Sequence, residues 1–169
     1  MLGRFLGQPV REYRNFQLVF TLLTANFFFP AISYAIAPEI AAQQVSRINE
    51  ILGSGPYGFA GAEAGARFWR FLGAANVMTL ALMCFLLQLD LRQFYVVLLP
   101  LTFLKGYNAS LFFLGWVFVP THRAFLAIAL FDGLTSVAFV YFARSAHRAI
   151  MSRPELELVP RPRFTGSQK

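Results

Sequence analysis

The sequence predicts an all-α fold: an integral membrane four-helix bundle with a short interfacial amphipathic helix between helices 1 and 2. Three observations predict it. Hydrophobic residues make up 57% of the 169 positions and charged residues only 14%, against about 45–50% and about 25% in soluble domains. Four apolar runs each reach the roughly 20 residues that a helix needs to cross a hydrocarbon core about 30 Å thick. The runs lack the alternating pattern of barrel strands, and an open sheet edge cannot satisfy its backbone in lipid.

The elements follow in order. Residues 1–15 form an N-terminal segment with Arg4, Arg11, Glu12 and Arg14. Its broken apolar pattern, and the length of the run that follows without an A-x-A-like end, argue for a retained membrane helix rather than a cleaved signal. The four spans are 16–37, 68–89, 94–119 and 124–143. Connections two (Asp90 to Gln93) and three (Pro120 to Arg123) are short, which predicts that spans two, three and four run as antiparallel neighbours. In the long first connection, Ala41, Val45, Ile48 and Leu52 recur at helical spacing, with Gln44, Arg47 and Glu50 on other faces. This predicts the interfacial helix, beginning near Pro38. A loop rich in glycine and alanine follows over 53–65, and residues 144–169 form a basic, Pro-containing tail, extended from Ser152.

Charge placement gives an orientation. Arg4, Arg11, Arg14, Arg92, Arg144, Arg148, Arg153, Arg161, Arg163 and Lys169 fall on the side of the termini, against Arg47, Arg67, Arg70 and Arg123 on the other. The positive-inside rule then predicts a cytoplasmic N-terminus and C-terminus in a cell inner membrane. Thirteen arginines against two lysines hint at a GC-rich bacterial source. Tyr13, Tyr95 and Tyr141 mark the inner aromatic belt; Tyr34, Trp69 and Trp116 mark the outer one.

The most informative residues are polar ones inside the spans. Asn26, Asn76, Lys105 and Asp132 lie in four different spans, at about 16, 21, 18 and 18 Å from the inner boundary at 1.5 Å per residue. A lone Lys or Asp at mid-membrane costs roughly 2.5–3.5 kcal/mol on insertion scales, so two such charges are expected to meet. Spans three and four are joined by four residues, which predicts a Lys105–Asp132 ion pair. Helical spacing adds Thr102 and Asn108 beside Lys105, and Thr135 and Ser136 beside Asp132. The expected site is thus an intramembrane polar cluster of Lys105, Asp132, Asn26, Asn76, Asn108, Thr102, Thr135 and Ser136. Pro30 withholds a hydrogen bond from the Asn26 carbonyl, and Gly106 with Ser110 offers a small-residue face for another helix. Glu63, Arg67 and Arg70 stand as outer-mouth charges.

Other chemistries find little support. One cysteine, Cys84, forms no internal disulfide or CxxC pair. His122 and His147 flank one span and should occupy opposite faces, which argues against a two-His metal or haem site. A mid-membrane lysine with an aspartate suits a retinal Schiff base, but four spans are few to enclose retinal. Asn108-Ala109-Ser110 is a glycosylation sequon at membrane depth. GxSxG, HExxH and Walker patterns are missing from the chain. No metal or other cofactor is expected. The +7 net charge sits in tails and loops, which argues against nucleic acid. The expected partners are the lipid bilayer and other membrane helices, in a homo-oligomer or a larger complex. The leading expectation is a non-enzymatic accessory or assembly subunit. The alternatives are a small transporter or proton-coupled carrier, and a lipid- or quinone-directed membrane enzyme.

Overall fold

The computed structural model describes residues 8–55 and 63–155, and every regular element there is helical. The helices are α1 (Arg11–Ile36), α2 (Pro38–Ile51), α3 (Glu63–Leu89), α4 (Leu98–Phe118) and α5 (Arg123–Met151), with a 3-10 turn at Tyr95–Val97. Four of them, all but α2, are long and apolar enough to cross a membrane, which makes the chain a multi-pass membrane protein. Compared with the expected spans, α1 begins earlier and α5 runs on to Met151, about two turns beyond 143. Pro30 does not break α1, and the Ser33 hydroxyl donates to the Pro30 carbonyl at 3.0 Å.

The helices pack in the spatial order α3, α1, α5, α4. The α1–α3 and α4–α5 seams are extensive, α1 touches α5 between them, and α3 meets α4 only slightly. The serpentine expected from short connections therefore holds for α4 and α5 but not for α3 and α4. The reason lies in the connection itself. The Asp90 carboxylate accepts the Arg92 and Gln93 backbone N–H groups at 2.9 and 3.1 Å, closing a local turn, and Arg92 reaches across to the Ile150 carbonyl at 3.1 Å. The connection is thus anchored to the end of α5, so α3 and α4 leave it on separate courses.

The tightest core lies toward the ends of α1 and α5 that carry the termini. Phe16, Phe20 and Phe139 are fully buried beside Leu87, Leu91 and Leu101. Rings continue in sequence, with Phe16 to Phe20 at 4.3 Å, Phe20 to Phe139 at 5.5 Å and Phe139 to Phe27 at 6.1 Å between centroids. Alanines 124, 129, 143 and 146 let the partners of α5 approach closely. Tyr13 belongs to this core, 1% exposed, rather than to an interfacial belt. Gln17 explains the difference, because its amide donates to the Tyr13 hydroxyl at 2.8 Å and lets the phenol be buried.

At the opposite end, α2 closes over the start of α5. Asn49 is 1% exposed; its carbonyl oxygen accepts the Ala124 N–H at 3.1 Å and its amide donates to the Gly55 carbonyl at 3.0 Å. Arg123 donates back to the Leu52 carbonyl. Of the apolar repeat that predicts this helix, Val45 is half-buried and Ile48 and Leu52 are exposed, while Ala41 lies outside the described side chains. The residue that fastens α2 to the bundle is polar, because it supplies a hydrogen-bond partner to an α5 N–H that the helix leaves orphaned.

Candidate functional site: an intramembrane ion pair

Lys105 projects from the middle of α4 and Asp132 from α5, at 6% and 2% exposure. Their ammonium and carboxylate form a salt bridge through Asp132 Oδ1. The second carboxylate oxygen accepts the Asn108 amide at 2.5 Å, from one turn further along α4. Lys105 Nζ also stands 4.7 Å from the centroid of the Phe27 ring and 5.8 Å from that of Phe131. The cation therefore has a carboxylate on one side and π-faces beyond, an arrangement that holds charge away from lipid. The aromatic series through the core ends at this ammonium.

The small polar residues divide. Ser136 donates to the Thr102 carbonyl at 3.2 Å, tying α5 to α4 one turn from the pair. The close approach is possible because a Cβ at Gly106 would already lie 3.7 Å from the Ser136 hydroxyl. Thr135 is buried but turns back to its own helix, donating to the Phe131 carbonyl at 2.7 Å. The Thr102 hydroxyl is buried with no hydrogen-bond partner.

Asn26 and Asn76 do not join this cluster. Both side chains are exposed, on α1 and α3, and no described residue hydrogen-bonds to either. The shared depth expected for four polar residues therefore does not give a single interior layer. The pair and its neighbours occupy the α4–α5 seam, and the two amides look outward. A charge has to be sealed within its own chain, whereas a neutral amide, less costly than a charge, can face outward where another helix satisfies it. Glu63, Arg67 and Arg70 fall within the first two turns of α3, and their side chains lie outside the described residues.

A second polar centre lies outside the sequence expectations. Gln88, near the end of α3, bridges to α1: its amide donates to Thr24 Oγ1 at 2.7 Å and to the Phe20 carbonyl at 3.2 Å. Its side-chain carbonyl accepts the Thr21 hydroxyl at 2.7 Å, and its backbone carbonyl accepts the Gln17 amide at 3.0 Å. The signal on α1 is the spacing of Gln17, Thr21 and Thr24, which are four and three residues apart and so share one helix face.

The fold and the sealed pair define the class: a small all-α, multi-pass membrane protein with an intramembrane Lys–Asp bridge. Comparison with family models, curated proteins and solved structures finds no match.

Proposed function

We propose that this chain is a non-enzymatic accessory or assembly subunit of a membrane complex, in a bacterial inner membrane with both termini in the cytoplasm. The observation that carries the reading is the outward placement of Asn26 and Asn76 on two membrane helices, without a partner in the described chain. A primary amide in hydrocarbon is costly until another helix satisfies it, and interhelical contacts of this kind contribute about 0.6–2 kcal/mol each. The ion pair supports the same reading. Two surface grooves have neither Lys105 nor Asp132 in their walls, and both carboxylate oxygens are occupied by α4 side chains. Such a pair locks α4 to α5 more readily than it exchanges charge with a substrate.

The test is the particle size of the protein extracted from its own membranes in mild detergent. With bound detergent subtracted, the wild-type protein mass should stand well above the 19.0 kDa of one chain, and Asn26→Leu with Asn76→Leu should shift it toward the single chain. A wild-type protein that travels alone, or a particle indifferent to both changes, overturns the proposal.

A further inference from the structure

The α5 helix carries a second feature that the assembly reading does not use. A groove of about 910 Å³ runs along it from mid-membrane to its C-terminal end. Thr102 and Ser136 form the deep end, Val137, Val140 and Tyr141 the apolar wall, and Arg144, Arg148 and Glu12 the mouth. Arg144 lies eight residues beyond Ser136, about 12 Å along the helix, and Arg148 one turn further. Both arginines are exposed, and no described residue pairs with either of them or with Glu12.

We infer that this groove binds one acidic glycerophospholipid from the leaflet facing the termini, with a hydroxyl-bearing head such as phosphoglycerol. Charge complementarity selects the occupant. Two guanidiniums and one carboxylate leave the mouth with one net positive charge, which matches a single phosphodiester. Arginines present paired N–H groups to phosphate oxygens, and the Glu12 carboxylate accepts from a head-group hydroxyl. A choline head offers Glu12 no hydrogen to accept. The acyl chain lies against Val137 and Val140, and the deep end stops one turn short of the Lys105–Asp132 bridge. Basic residues at this depth attract anionic lipid generally; a groove beneath them converts that attraction into a bound molecule.

The experiment uses the full chain in mixed vesicles of phosphatidylglycerol and phosphatidylcholine with identical acyl chains, extracted gently and weighed by native mass spectrometry. Wild-type protein should retain phosphatidylglycerol over phosphatidylcholine by about tenfold or more. Arg144→Gln with Arg148→Gln should abolish that preference, while Arg11→Gln with Arg153→Gln, outside the groove, should preserve it. Val140→Trp fills the apolar wall and leaves the charges in place, so it should reduce retained lipid of both kinds. Thermal unfolding in the same detergent identifies any variant that has lost its fold, and Val140→Trp and the two arginine pairs are read only against that check. Equal retention of the two lipids by the wild type overturns the inference. So does equal loss from the control pair, which would mean a diffuse basic belt, or a change of oligomeric mass at unchanged lipid content, which would mean that a second copy covers the groove.

Discussion

Removing one member of the Lys105–Asp132 pair should be far more damaging than removing both. Asp132→Ala leaves the Lys105 ammonium at 6% exposure with only the Phe27 and Phe131 rings for company, and a cation–π contact recovers about 0.5–2 kcal/mol. Breaking a buried pair from one side typically costs about 3–5 kcal/mol, so each single alanine variant should lose about that much. Lys105→Met with Asp132→Leu removes both charges and refills the seam. What remains is the Asn108 amide, which loses its carboxylate acceptor, a penalty of about 1–3 kcal/mol. The double variant should therefore be more stable than either single one. The charge exchange, Lys105→Asp with Asp132→Lys, should also outperform both singles, because Asn108 can turn its carbonyl oxygen toward the relocated ammonium. Unfolding of these variants in mixed micelles, with the native fraction followed by Cys84 accessibility to a thiol reagent, measures the cycle; Cys84 is fully buried and reports opening of the bundle. Additive losses, with the double variant worse than either single, would refute the argument.

Three further outcomes follow from the same contacts. Gln88→Leu should lower stability by about 1–3 kcal/mol in the same micelle assay, since it removes bonds to Thr24, Thr21 and the Phe20 carbonyl between α1 and α3. Thr102→Val should cost nothing and gain up to about 1 kcal/mol by the same measure, because the hydroxyl it removes is buried without a partner. Asn49→Ala should release α2 from the start of α5, at a cost of about 1–2 kcal/mol, read as faster amide hydrogen exchange across residues 43–52 with little change in the bundle core.

Depth was legible in the sequence and azimuth was not. Helical rise places every polar residue along the membrane normal, and the spans themselves are written in the apolar runs. Which way a side chain faces needs a difference between the two sides of a helix, and a span in lipid is apolar all round. Lys105 and Asp132 were exceptions, because a charge has only one tolerable direction. Asn26 and Asn76 carry no such constraint, and they face outward. Gln88 was hidden for another reason. It sits close to Asp90 at the end of its run, where a polar residue reads as the edge of the membrane rather than as a bridge. Asn49 was masked by the apolar repeat around it. Its importance arises from α5, whose Ala124 follows 75 residues later and presents an N–H in need of an acceptor.

The 29 residues of α5 make a rod about 43 Å long, while the oily slab it crosses measures about 30 Å. The surplus has to be absorbed by leaning or by standing clear of the surface. Because Asn49 clasps one end and Arg92 grips the carbonyl of Ile150 near the other, any lean of this rod carries α2 and the connection between α3 and α4 with it. A thinner or thicker membrane that changed the lean would then reorient those attached segments together with the rod.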